Sequence, residues 1–284
     1  MNTRRHLVAI AALLVLAASC SNTDDAATTT TSTVEAEDTA GVETTATTIP
    51  TETTTAPFTR LIDLVAEPPA WEDVTITTAD DVELYARYWP GGPTALLVGH
   101  DYSVTTEGAF GQRPDQSSES ILNFTATFAQ QGYTVLSPDY RGHGQSGGEF
   151  EPQAGVIDLA AAYSFLAEAG YDKIVMVGWI GSGTTAVVLD AADDTVGFDG
   201  IVMLFSPPQD HGMDANAELA DLETPTFYIG SNAGTSASWA RRMSNKAGNS
   251  AGAFVFERVP TGLTFTDVFG PEFVGRILDF ADSV

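Results

Sequence analysis

Three side chains in this sequence have the chemistry of a hydrolytic triad: the hydroxyl of Ser182, the carboxylate of Asp210 and the imidazole of His211. In such a triad the imidazole takes the proton of the hydroxyl, the oxygen attacks a carbonyl carbon, and the carboxylate orients the imidazole. Asp210 and His211 are adjacent in sequence, and neighbouring Asp and His side chains rarely orient one another productively. These three residues are therefore a fallback set of catalytic residues.

Ser182 lies at a predicted strand-to-helix turn. An apolar run starts at Lys173, residues 178–182 (GWIGS) form a Gly-rich turn, and a helix pattern of small and apolar residues follows. In a nucleophile elbow, the frame G-x-S-x-G lifts a serine above the edge of a parallel sheet. Here that central position holds Ile180, whose alkyl side chain cannot attack a carbonyl. Since the elbow needs a positive φ, which is costly for a β-branched residue, we expect the strain to move to Gly181 or the turn to relax.

The rest of the chain after residue 73 alternates between strand and helix patterns. Residues 74–78 and 82–89 predict a β-hairpin. Further strands are predicted at 94–100, 133–137, 173–178, 198–205, 226–230 and 253–259, and helices at 119–131, 155–169, 214–222, 236–247 and 271–282. This alternation predicts βαβ units and a mostly parallel sheet, without room for a large inserted lid.

Two further stretches resemble a known family. Residues 139–148 (DYRGHGQSGG) match the pattern D-x-R-G-x-G-x-S, and residues 98–100 (VGH) resemble a strand-end histidine before an oxyanion loop. Together with the elbow frame they are similar to the α/β-hydrolase superfamily, in particular to dienelactone hydrolase-like and serine aminopeptidase-like esterases. The resemblance spans nearly all of the chain from Asp73 to the carboxyl terminus. It implies a three-layer α/β-hydrolase fold with a mostly parallel sheet, an antiparallel N-terminal hairpin and no large lid.

The resemblance also indicates where a family triad would lie, and all three positions are degenerate. The nucleophile position is Ile180. The acid is expected after the strand 226–230, where the loop has no carboxylate and Asn232 is the nearest residue. The histidine is expected after the last strand, where Thr264 fits best. Because no histidine follows His211 anywhere in the chain, the family's base is absent in any register.

Several alternatives remain open at this stage. Ser182 is either a nucleophile in a slipped elbow or the N-cap or first-turn residue of the following helix. Asp210 either substitutes for the missing acid, as in some relatives that place it after the preceding strand, or is a solvated loop residue. The resemblance gives His100 and His143 structural roles in shaping the oxyanion loop and the Gly-rich loop.

The family's ligand pocket lies over the carboxyl edge of the sheet. The residues expected to line it here are His100, Asp101, Tyr102, Trp179, Ile180, Gly181 and Phe265. No dinucleotide or phosphate-binding Gly-rich motif is present in the sequence, so no cofactor is predicted. No metal is predicted either, because the acidic residues fit solvated turns and helix ends better than a ligand set; they are Asp80, Asp81, Asp190, Asp193 and Asp194.

The amino terminus has the features of an export signal. Arg4 and Arg5 precede an apolar run at residues 7–18, which is shorter than the ~20 residues that span a bilayer. Residues 16–20 (LAASC) resemble a bacterial lipobox, which predicts lipidation of Cys20, the single cysteine of the chain, and anchoring to the outer face of the cell membrane. An ordinary signal peptide with a stray cysteine is the alternative, and the arginine pair leaves general or twin-arginine export open.

The predicted organisation is therefore a signal at 1–19, a lipidated cysteine with a disordered Thr-rich acidic tether at 20–57, a connecting segment at 58–72 and an α/β domain at 73–284. The formal charge of −26 argues against nucleic acid as a partner. Three functions are compatible with these patterns. They are an inactive hydrolase-like protein that binds a small ligand or partner, an active serine hydrolase with displaced residues such as Ser182, and an envelope interaction module.

Overall fold

The computed structural model describes residues 69–102, 125–232, 234–256 and 271–284, which all belong to one compact unit. The predicted signal, Cys20, the tether, Thr264 and Phe265 lie outside these ranges. Within them, no helix has both the length and the apolar character needed to cross a membrane.

A mixed sheet forms the middle layer of the fold. Its strands are β1 (Glu72–Thr77), β2 (Glu83–Trp89), β3 (Thr94–Gly99), β4 (Thr134–Pro138), β5 (Lys173–Trp179), β6 (Gly200–Leu204), β7 (Thr226–Ser231) and β8 (Ser250–Phe256). They lie in the order β1-β2-β4-β3-β5-β6-β7-β8. β1 and β2 form an antiparallel hairpin, β2 pairs antiparallel with β4, and all other neighbours are parallel.

Helices cover both faces of this sheet. They are α1 (residues 125–130), α2 (Gly155–Glu168), α3 (Gly181–Ala192), α4 (Ala215–Glu218), α5 (Ser236–Lys246) and α6 (Pro271–Ser283). The strand predicted at 253–259 begins earlier, at Ser250, and the strand predicted at 198–205 is shorter. Phe198 and Asp199 lie outside β6 because their backbone N–H groups donate to the carboxylate of Asp190 and the carbonyl of Ile174.

Alternate residues of the central strands point into two separate cores. In β5, Met176 faces a core shared with α2, α3 and α5, whereas Val175 and Val177 face a core shared with α1 and α6. Since the central strands are buried on both faces, they read as continuous apolar runs rather than alternating ones. The predicted three-layer architecture with its N-terminal hairpin is confirmed. The carboxyl ends of the parallel strands meet at one edge, and the candidate site lies there.

Candidate functional site

The turn between β5 and α3 keeps the geometry of an elbow. Ile180 is the single residue between the end of β5 and the start of α3, and it has φ 50° and ψ −109°. The expectation that the strain would move to Gly181 or that the turn would relax is therefore wrong. The backbone is fixed from two sides, because the N–H of Ile180 donates to the carbonyl of Leu204 on β6 at 2.8 Å and its own carbonyl accepts from Gly183 at 3.2 Å.

Two glycines allow the strand and the helix to approach closely across this turn. A Cβ placed on Gly178 would lie 2.5 Å from the backbone of Gly183. A Cβ on Gly183 would lie 2.1 Å from the hydroxyl oxygen of Ser206. Any larger side chain at either position would push α3 away from β5 and β6, so the glycines preserve the sharp crossing.

Ser182 is fully buried in the first turn of α3. Its hydroxyl donates to the backbone carbonyl of His100 and lies 2.8 Å from the hydroxyl of Tyr140. Because the one proton of Ser182 is used on His100, the proton between the two hydroxyls comes from Tyr140. The serine is a first-turn residue but not the N-cap, which is Ile180. Its hydroxyl has no hydrogen bond to His211.

The two other described histidines have structural roles, as the resemblance implied. The Nδ1–H of His100 donates to the carbonyl of Asp101 at 3.0 Å, and its Nε2 accepts from the N–H of Tyr140 at 3.1 Å. Burial lowers the pKa of His100 to about 3, which keeps the ring neutral. The ring nitrogens of His143 face the carbonyls of Arg141 and Tyr102 at 3.0 and 3.4 Å.

The Gly-rich loop 139–148 is held by a partly buried ion network. The guanidinium of Arg141 binds Asp158 at 2.7 Å and Asp80 at 2.7 Å. Asp80 lies in an exposed turn, as predicted, but it is also paired with Arg141, whose hydrogen bond holds the pKa of Asp80 well below its usual range. Asp190 lies at the end of α3, as predicted, but it is partly buried there: it accepts from the N–H of Phe198 and the hydroxyl of Thr224, and burial raises its pKa.

Asp210 and His211 form a pair despite being sequence neighbours. Asp210 and Met213 exchange backbone hydrogen bonds of 3.0 and 2.8 Å across a tight turn. The two central residues, His211 and Gly212, have φ of 46° and 86°, as a type I′ turn requires. This turn brings Nδ1 of His211 to 3.0 Å from Oδ1 of Asp210.

The same turn places Asp210 beside the elbow, a contact that no sequence pattern indicated. A Cβ on Gly181 would lie 2.6 Å from Oδ2 of Asp210 and 2.6 Å from the ring of Tyr102. Tyr102 is buried between the amino ends of α2 and α3, and its hydroxyl is 2.9 Å from that of Thr185. The fallback residues thus do not assemble: Asp210 and His211 are paired near the elbow, while Ser182 is engaged elsewhere.

Several esterases of known structure have the same architecture. An esterase from Pyrococcus furiosus is 18% identical, with a TM-score of 0.59 over 75% of this chain and 91% of that chain. The α/β hydrolase GrgF from Penicillium sp. sh18 is 14% identical, with a TM-score of 0.59 over 76% and 99%. The chain has the α/β-hydrolase fold. An esterase from Butyrivibrio proteoclasticus, solved with ferulic acid, matches at 14% identity and a TM-score of 0.54 over 74% and 100%. No protein-family model and no curated protein matches the sequence.

The α/β-hydrolase fold places the remaining predicted residues as follows. Asn232 is exposed immediately after β7, at the expected acid position, and its N–H donates to the carbonyl of Phe256 at 3.0 Å. Thr264, at the histidine position, is outside the described residues. Of the predicted pocket residues, Trp179 and Ile180 are partly exposed, whereas His100, Asp101, Tyr102 and Gly181 are buried. Their contact with a ligand stays a prediction.

The electrostatics of the elbow differ from those needed to stabilise an oxyanion. In this fold the N–H of the residue after the nucleophile, here Gly181, points at the oxyanion. The carboxylate of Asp210 lies against Gly181 and opposes a second negative charge there. No group of three or more acidic, His or Cys side chains in the described ranges could hold a metal ion. Because the Asp210 carboxylate lies beside Gly181, the site is better suited to an electropositive group than to a developing anion.

Proposed function

We propose that this chain is a membrane-anchored, extracytoplasmic protein whose α/β-hydrolase domain binds a small ligand or a protein partner without hydrolysing it. The observation that carries the proposal is Ile180 in the strained elbow conformation. Its side chain cannot form an acyl-enzyme, and loss of a nucleophile alone lowers turnover roughly 10⁶-fold in serine hydrolases.

The surroundings of Ile180 support the same conclusion. Ser182 would have to leave its hydrogen bonds with His100 and Tyr140 before it could act as a nucleophile. Asn232, at the acid position, has no charge with which to stabilise an imidazolium. The carboxylate of Asp210 beside Gly181 disfavours the anion that hydrolysis requires.

One observation favours a second candidate, an active serine hydrolase with displaced residues. The 3.0 Å contact between Asp210 and His211 orients an imidazole that is 42% exposed, as a general base would need. Such an enzyme would lose activity on substitution of both His211 and the displaced serine.

Turnover of 4-nitrophenyl acetate and butyrate separates the two candidates. We expect the protein to show no turnover above that of the His211→Gln and Ser182→Ala variants. Turnover that both variants lose, while both remain folded by circular dichroism, would establish the displaced hydrolase instead.

The anchoring part of the proposal rests on Cys20 and the preceding residues 16–19. Diacylation would give a stable membrane anchor, whereas a single acyl chain binds only reversibly. We expect the protein to partition into the detergent phase of a bacterial lysate, and Cys20→Ala to move it to the aqueous phase. Ser21→Ala is the matched control. Aqueous partitioning of the unmodified sequence would contradict the anchor.

A further inference from the structure

One carboxylate oxygen at the elbow lacks a hydrogen-bond donor. Oδ1 of Asp210 faces Nδ1 of His211, but Oδ2 is buried and no described N–H or O–H group donates to it. An unsatisfied buried acceptor costs about 1–3 kcal/mol, more when charged. The side chain as a whole is 19% exposed, so it lies at the border between the packed elbow and solvent.

Three aromatic rings cluster at the Asp210–Met213 turn, one of them that of His211 itself. The ring centroids of Tyr102, Phe150 and His211 lie 6.2–6.4 Å from one another. Phe150 is 47% exposed and His211 is 42% exposed. The Nε2H₂ group of Gln153 donates to the carbonyl of His211 at 3.3 Å and fixes the turn against this cluster. A fixed aromatic surface next to a carboxylate attracts an organic cation, because ring faces carry partial negative charge.

The charge of the surrounding sequence also favours a cation. Residues 142–240, which supply the elbow, Phe150 and the Asp210 turn, contain one lysine, Lys173, and no arginine. Lys173 begins β5 and so lies at the opposite edge of the sheet. Glu149 and Glu151 flank Phe150 and are exposed. No lysine or arginine of this span is therefore placed to neutralise Asp210, whose neighbouring side chain is the imidazole of His211.

We propose that the site beside the elbow recognises a ligand that carries a primary ammonium group on an apolar body, with Asp210 as its anchor. An ammonium group has three N–H donors and no acceptor, so it can donate to the partly exposed carboxylate and neutralise it at once. The apolar body packs on Phe150 and His211. This inference rests on the proposed binding function and names the ligand class of the same site.

Calorimetric titration of the full-length chain with three probes tests the proposal. The probes are 2-phenylethylammonium, its neutral analogue 2-phenylethanol, and 2-phenylethyltrimethylammonium, which keeps the charge but lacks N–H donors. We expect the primary ammonium to bind at least tenfold more tightly than either analogue, which corresponds to about 1.4 kcal/mol. Equal affinity for the alcohol would overturn the charge requirement, and equal affinity for the trimethyl compound would overturn the role of the Asp210 carboxylate as a hydrogen-bond acceptor.

Matched variants locate the binding. Asp210→Asn should weaken binding of 2-phenylethylammonium at least tenfold, and Phe150→Leu, at an exposed position that leaves the core intact, should weaken it severalfold. Asp221→Asn removes the same charge from an exposed turn and should change affinity less than twofold. Unchanged affinity in Asp210→Asn or Phe150→Leu, or an equal loss in Asp221→Asn, would overturn the site. Ester turnover would contradict the proposed function but not the ligand class, whereas an inactive protein that fails to bind the ammonium would contradict the ligand class alone.

Discussion

The hydroxyl of Ser182 lies 2.8 Å from the hydroxyl of Tyr140, at the point where α3 crosses β3 and β4. Ser182 also donates to the carbonyl of His100, so its proton and a lone pair are both used inside the fold. A Cβ on Gly99 would lie 2.7 Å from the serine oxygen, which shows how closely the strand packs on it. Ser182, the serine within the elbow motif, therefore stabilises the domain and is not poised for attack.

Ser182→Ala should reduce stability without affecting any reaction. It leaves the buried carbonyl of His100 and the hydroxyl of Tyr140 without a partner, which we expect to lower the free energy of unfolding by about 1–3 kcal/mol. Urea denaturation measures this change. Ser164→Ala, at an exposed position of α2, is the control and should change stability by less than about 0.5 kcal/mol. Equal stability of the two variants would show that the buried contacts contribute nothing.

Gly181→Ala should disturb the elbow and the Asp210 turn together. The new methyl group would lie 2.6 Å from both Oδ2 of Asp210 and the ring of Tyr102, so one of them must move. We expect a loss of about 1–3 kcal/mol, as for overpacking of a core. Gly197→Ala, where a Cβ meets nothing within 4 Å, should be neutral or stabilising. Thermal unfolding of both variants checks this, and a neutral Gly181→Ala would contradict the close packing at the elbow.

Asp139 should destabilise the protein as the pH rises. Burial raises its pKa from 3.8 to about 7, so the folded state holds a proton that the unfolded state has already lost between these values. The contribution of Asp139 to folding stability is fully present at low pH and falls as the pH rises from 3.8 to about 7. Above about pH 7 it no longer changes. Asp139→Asn cannot ionise and keeps an acceptor for the N–H of Gln145. We expect its advantage over the parent protein to be small at pH 4 and on the order of a few kcal/mol at pH 8.

Thermal unfolding at a series of pH values measures this difference. Asp172→Asn, at an exposed position, should give a difference that does not vary with pH in the same way. A constant difference for Asp139→Asn between pH 4 and 8 would mean that Asp139 is ionised throughout this range in the folded protein.

The contribution of Asp80 to folding stability should depend on pH in the opposite direction. The hydrogen bond from Arg141 lowers its pKa, so its contribution to stability is present above about pH 4 and is lost as the pH falls below the unfolded value. Asp80→Asn should therefore be less stable than the parent at pH 7, and the gap should begin to narrow below about pH 4 and keep narrowing down to pH 2. Its neighbour Asp81, which is exposed and has φ 64°, provides the control, since Asn tolerates that backbone well. A gap of the same size at pH 7 and at pH 2 would rule out the ion pair as its cause.

The fold could be predicted from the sequence because its signals are local. Apolar strands, helix patterns and the Gly-rich loop each extend over a few consecutive residues, and they place Ile180 and Asn232 correctly after β5 and β7. The conformation of Ile180 could not be predicted, because the hydrogen bond to Leu204 from a different strand overrides the preference of a β-branched residue. Likewise, the contacts of Asp210 with Gly181 and of Asp80 with Arg141 arise from tertiary packing between distant segments, and no spacing encodes them.

The most direct measurement of the central claim is intact-protein mass spectrometry after incubation with a fluorophosphonate probe. An activated serine at the elbow would form a stable phosphonyl adduct, whereas Ile180 cannot. We predict no adduct on the protein, and no change of this result in Ser182→Ala. A stoichiometric adduct that maps to Ser182 and disappears in Ser182→Ala would contradict the account.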